Sequence, residues 1–220
     1  MQVFGCKLFV FHKLNRYYTR ARNFFKTKSY ISSLFCYYEQ EMRLQDNLKH
    51  APLVFLDVET TGSSSRTSRI TEIGALRVED GKVVATYKQL INPEINISTF
   101  ITHLTGISND MVWDAPIFRS IIDELEVFLN DAVLIAHNVN FDYTFLKMEF
   151  TRVGYPFKMT RACSAQLSRR LYPEHRSHAL DRIIERMELT VENRHRAFDD
   201  AEVLWKFFQA EYEKRGVLLF

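Results

Sequence analysis

Residues 52–62, PLVFLDVETTG, decide how the rest of the chain is read. Residues 53–56 form an unbroken apolar run, the pattern of a strand buried on both faces. The run gives way to Asp57 and Glu59, two acids one strand repeat apart. Alternate strand residues point the same way, so both carboxylates face one side, roughly 7 Å apart along the chain. Like charges at the end of a core strand are costly unless a positive charge lies between them.

Working outward, Pro52 marks the start of a compact domain, and a polar loop at 62–68 follows the strand. Two β-rich runs, 70–79 and 83–91, flank Asp80-Gly81, a strong two-residue hairpin signal. Asn92-Pro93 breaks the second run. Ile117, Ile121, Leu125 and Leu129 recur at helical spacing and predict a helix over about 116–129. A short strand at 133–136 and helices over about 140–153, 163–171, 178–187 and 197–214 complete the pattern. A hairpin-bearing sheet followed by alternating helix and strand predicts an α/β fold, with a mixed central sheet flanked by helices.

The 220 residues accommodate one domain of ordinary size plus an appendage: a basic, aromatic N-terminal extension at 1–51, expected to be partly helical, and a main domain at 52–215. Residues 1–50 hold nine Lys or Arg against three Asp or Glu, whereas the remainder carries a net charge of −4. A slightly acidic main domain suits a site that collects cations better than a nonspecific nucleic-acid clamp. The extension reads equally in two ways: as an electrostatic foot for nucleic acid, with an anionic membrane surface the lesser option, or as a packed helix or the product of a start upstream of Met42. No run approaches the ~20 apolar residues of a membrane span. CKLFVFH near the N-terminus is too short for a secretory signal. Cys6, Cys36 and Cys163 are far apart and form no CxxC, so a reducing cytoplasm is the expected location.

Four acids and one histidine carry the chemistry. Asp142, in HNVNFD, begins a helix, where the N-terminal dipole favours an anion. Asp200 falls on the apolar side of the last helix with Ala197, Leu204 and Phe207, while Asp199 groups with Glu202 and Lys206 on the solvent side. A carboxylate on the core side needs a cation, and no arginine or lysine has an evident position to neutralise these acids. Hard oxygen ligands favour Mg²⁺ or Mn²⁺, and two such ions are a template for phosphodiester cleavage. A neutral His195 beside them would take the proton of the attacking water.

DVETTG, HNVNFD and HRAFDDA, in this order and spacing, resemble the three exonuclease motifs of the DEDDh 3′–5′ exonucleases, the group that includes the proofreading epsilon subunit of bacterial DNA polymerase III. The resemblance runs from about residue 52 to 214, including RITEIGALRV and THLTGIS. It implies a ribonuclease H-like fold, Asp57, Glu59, Asp142 and Asp200 as ligands of two divalent ions (Mg²⁺ or Mn²⁺), and His195 as general base. Phe141 matches the aromatic near the terminal nucleotide, and Thr60 the position that contacts the 3′ end. Thr105 stands where the epsilon subunit has histidine. The implied activity is hydrolysis of single strands or 3′ ends of DNA to nucleoside 5′-monophosphates, in proofreading or repair. The alternatives are an RNA 3′-trimming enzyme of the same fold and a non-catalytic nucleic-acid-binding module. No C-terminal polymerase-binding tail is recognisable after the last helix, so polymerase association stays open. His175 and His178 read as loop residues with Ser177 capping the next helix, and His137 and Asn138 as shaping the site through hydrogen bonds. Glu72, inside a strand, reads as structural.

Overall fold

The computed structural model describes residues 51–191 and 194–215; the expectations for residues 1–50 fall outside them. The opening stretch forms β1 (Leu53–Thr60). β2 (Ile70–Glu79) and β3 (Lys82–Leu90) join it antiparallel, while β4 (Val133–Ala136) and β5 (Arg161–Cys163) extend the other side in parallel. The sheet order is β3-β2-β1-β4-β5, with the two-acid strand at its centre. Asp80 (φ 49°) and Gly81 (φ 73°) both adopt the left-handed conformation, which a tight hairpin between right-twisted strands requires.

Seven helices complete the described part: α1 (Thr99–Thr105), α2 (Asn109–Val112), α3 (Phe118–Leu129), α4 (Asn140–Arg152), α5 (Ser164–Leu171), α6 (Leu180–Met187) and α7 (Ala197–Arg215). Strand alternation distributes them over two faces. Val54, Leu56 and Val58 point with Ile73 and Ala75 into a core built with Phe118 and Leu125 of α3 and Phe145 and Phe150 of α4. Leu53 and Phe55 point the other way, with Leu76 and Val78, against Leu167 of α5, Ile183 of α6, and Leu204 and Phe207 of α7. Val54, Phe55 and Leu56 are fully buried, each worth about 1.5–3 kcal/mol relative to exposure. The result is a helix–sheet–helix sandwich, as the alternation of elements predicts.

Three elements escape the sequence reading: α1, α2 and β5. One boundary is also corrected. Ser177 does not cap α6, which begins at Leu180 with Ala179 in the cap position; the Ser177 Oγ instead accepts the Ala179 N–H at 3.5 Å. Among the described residues, no helix is long and apolar enough to cross a membrane.

Candidate active site

Parity along β1 sets the site. Asp57 and Glu59 share the face of Leu53 and Phe55, the face that α7 covers. Asp200, in the first turn of α7, is 5% exposed on the inner side of that helix, as its spacing predicts. One carboxylate oxygen from each of Asp57, Glu59 and Asp200 lies within 4.8 Å of the other two. Asp142 approaches from α4. Pairing of β1 with β4 ends at Phe55 and Ile135, and beyond that point the Val58 N–H donates to Asp142 Oδ1 at 3.3 Å. Asp142 is 2% exposed and outside the three-oxygen cluster, yet near enough for its charge to act on Asp57.

What brings α7 this close to the sheet is a glycine. Gly74 pairs with Asp57 across β1 and β2. A Cβ there would stand 2.0 Å from the Phe198 N and 2.2 Å from the Ala197 carbonyl carbon, inside the α7 backbone. Two residues earlier on the same face, buried Glu72 accepts the Ala197 N–H at 3.0 Å and receives Arg196 Nη2 at 2.6 Å and Nε at 3.1 Å. Glu72 thus ties down an otherwise unpaired donor at the start of α7. The structural reading of Glu72 holds, and Gly74 joins it as a site-building residue.

Crowding of the acids appears in their protonation. Burial, then the charges of Asp142, Asp200 and Glu59, pushes the Asp57 carboxyl well above the usual range. Burial and the Asp200 and Glu72 charges push Glu59 up to about 8, and burial takes Asp142 to about 8. Asp200 is also raised, by burial, against the pull of Arg194. Here the sequence reading needs correction: a cation does stand among the acids. Arg194 Nη1 contacts both carboxylate oxygens of Asp200, while its Nε reaches Asp181 Oδ1 at 2.7 Å.

His195 follows in the left-handed conformation (φ 63°), half-buried between Arg194 and the start of α7. A non-glycine residue in that region marks a turn held by its surroundings. His137, at the end of β4, bonds Ser164 Oγ through Nδ1 at 3.0 Å. Burial, then the Arg169 and Arg194 charges, lowers it to about 4, so the ring is neutral and serves as a fixed brace. His178 Nδ1 meets Ser168 Oγ at 2.8 Å and its Nε2 meets the His175 carbonyl at 3.0 Å, a structural role. Phe141 is half-buried beside Asp142, its ring 4.8 Å from that of Phe145. Thr60 is buried and its hydroxyl donates to the Gly62 carbonyl at 2.8 Å. The Thr105 hydroxyl is engaged twice at the end of α1, donating to the Ile101 carbonyl and accepting the Ile107 N–H.

An all-oxygen donor set, closely spaced and mutually repelling, fits a hard divalent cation. Neither histidine nor cysteine joins it, so the donors of a zinc centre are missing from the cluster.

Comparison with known proteins agrees with this chemistry. An exonuclease family model matches residues 54–208. The PolC-type DNA polymerase III of Caldanaerobacter subterraneus subsp. tengcongensis is 39% identical over 161 residues, covering 73% of this chain and 12% of that protein. The PolC-type enzyme of Streptococcus pneumoniae is 35% identical over 187 residues, covering 82% of this chain and 12% of that protein. The chain therefore spans only about an eighth of these relatives' length (12%). Among solved structures, an exonuclease X in complex with 5′ overhanging duplex DNA superposes with TM-score 0.62 at 24% identity, over 76% of this chain and 95% of that one. The nuclease domain of 3′hExo, a DEDDh family member bound to rAMP, gives TM-score 0.68 at 18% identity, over 77% and 95%. These likenesses identify the fold as ribonuclease H-like.

Proposed function

Because the chain belongs to the exonuclease family, we propose that it acts as a DEDDh-type 3′–5′ enzyme, removing nucleotides from the 3′ ends of DNA and releasing nucleoside 5′-monophosphates. The observation that carries the reading is the convergence of Asp57, Glu59 and Asp200 within 4.8 Å at the end of the central strand. The choice of DNA draws support from relatives that are DNA polymerases by name. Proofreading beside a polymerase, in the cytoplasm, is the corresponding cellular role.

Asp57, Glu59, Asp142 and Asp200 would hold two divalent ions, Mg²⁺ or Mn²⁺, whose chemistry is to acidify an attacking water and stabilise the leaving 3′ oxygen. The chain supplies the rest. Asp57 and Glu59 are fixed by the strand, Asp200 by the Gly74 contact under α7, and Asp142 by the Val58 N–H, so the acids need little reorganisation on binding. His195, at the entry to α7, accepts the proton of the water. Phe141 offers a face to the terminal base, and the Thr60 oxygen can accept from the 3′-hydroxyl while its proton stays on Gly62. Thr105 acts through the Gly106-Ile107 backbone, which its hydroxyl pins.

Competition between DNA and RNA oligonucleotides of matched sequence, with product identification, tests the substrate. The expected result is faster shortening of DNA, with 5′-monophosphates from the 3′ end. Preferential shortening of RNA would replace this reading with the RNA-trimming one.

A further inference from the structure

Arg194 lies between two acids of different character. Its Nη1 contacts both oxygens of Asp200, whose side chain is 8% exposed, and its Nε and Nη2 both lie 2.7 Å from Oδ1 of Asp181, which is 62% exposed. Asp181 belongs to the first turn of α6 and is remote from the carboxylate cluster in sequence and in role. Two consequences follow. Both oxygens that Asp200 would give to a metal ion already accept from the guanidinium, so a cation and Arg194 compete for the charge of Asp200. The Asp181 contact uses a different edge of the guanidinium, so displacement from Asp200 leaves the side chain tethered.

A divalent ion brings twice the charge of a guanidinium and draws on several carboxylates at once, so it prevails where available. The released Nη1 then stands at the rim of a site whose substrate is a phosphodiester, and its planar fork of donors matches phosphate oxygens. The charges of Arg169 and Arg194 both act on His137, which puts two arginines beside the same end of β4.

We infer that Arg194 is an exchangeable counter-ion: it neutralises Asp200 in the metal-free protein and, still held by Asp181, turns to a phosphate of the strand once a divalent cation takes Asp200. This rests on the proposed nuclease reading and adds a residue to it that the motif resemblance does not assign.

Calorimetric titration of the full chain separates the two halves of the exchange. Mn²⁺ alone should bind Arg194→Ala about fivefold or more tighter than wild type, because no guanidinium competes for Asp200. With saturating Mn²⁺, dAMP should bind the same variant about fivefold or more weaker, for want of the phosphate contact. The opposite signs are the signature, since a merely structural loss weakens both. Unchanged Mn²⁺ affinity, or unchanged dAMP affinity, overturns the inference. If Arg194→Ala does not fold, Asp181→Asn on the exposed tether serves: dAMP should bind about threefold or more weaker and Mn²⁺ within about twofold of wild type. Unchanged dAMP affinity in that variant is equally fatal. A wild-type protein that takes up no Mn²⁺ overturns the nuclease reading itself, whereas wild-type uptake matched by Arg194→Ala overturns the exchange alone.

Discussion

Asp57 stands where its charge is least favourable, buried among Asp142, Asp200 and Glu59. Glu59 and Asp142 titrate near 8 in the folded, metal-free chain, against 4.5 and 3.8 for the free groups. The folded state therefore binds these protons more tightly than the unfolded one. The stability they allow is complete below about 4 and is lost as pH rises towards about 8. Two results follow for thermal melts. The gain in Tm from saturating Mg²⁺ should grow between pH 5.5 and pH 8. Without metal at pH 8, Asp57→Asn should be more stable than wild type, by about 1 kcal/mol, while losing nuclease activity. A less stable Asp57→Asn, or a metal effect that shrinks with pH, would contradict the repulsion. His195 answers to a separate measurement. His195→Ala should lower turnover by about 10²–10⁴ while calorimetric Mn²⁺ binding stays close to wild type, as expected when a proton acceptor is lost and the ligands remain.

At the scale of elements, the site depends on how near the start of α7 comes to β2. Gly74→Ala places a Cβ 2.0 Å from the Phe198 backbone nitrogen, so the helix must shift and carry Asp200 with it. The expected cost is about 1–3 kcal/mol in urea unfolding, with a drop in turnover larger than the stability loss explains. Wild-type stability and turnover in this variant would remove Gly74 from the account. The signal for this contact was present in the sequence, since a lone glycine inside a strand pattern marks close backbone approach. The Asp80-Gly81 turn was legible because two left-handed residues in succession have so few sequence solutions. Asp200 was legible because an acid on the apolar side of a long helix is conspicuous. Short elements were not: α1 and α2 have seven and four residues, too few for periodicity, and their clearest marks are the caps. Ser98 accepts from the Ile101 N–H and Ser108 from the Met111 N–H, each an ordinary serine until the chain has folded. Arg194 was hidden for another reason. Its partners, Asp181 and Asp200, lie 13 and 6 residues away, and only the packing of α6 against α7 brings both within its reach.

For the molecule as a whole, the charge balance poses the same problem as the acid cluster. Residues 51–220 carry a net charge of −4, and on the proposed nuclease reading a nucleic acid would have to approach them. Under that proposal, cations held by the carboxylates would provide the local attraction that the overall charge does not. The two faces of the sheet divide the work. The face towards α3 and α4 is a closed hydrophobic core, whereas the face towards α7 gives up its last strand positions to Asp57 and Glu59. The measurement that tests the central claim most directly follows a 5′-labelled single-stranded DNA through time with wild type and Asp57→Ala, in Mg²⁺ and in EDTA. The account predicts a ladder that shortens one nucleotide at a time from the 3′ end, for wild type in Mg²⁺ only. Undiminished shortening in EDTA or by Asp57→Ala, or products released from the 5′ end, would contradict it.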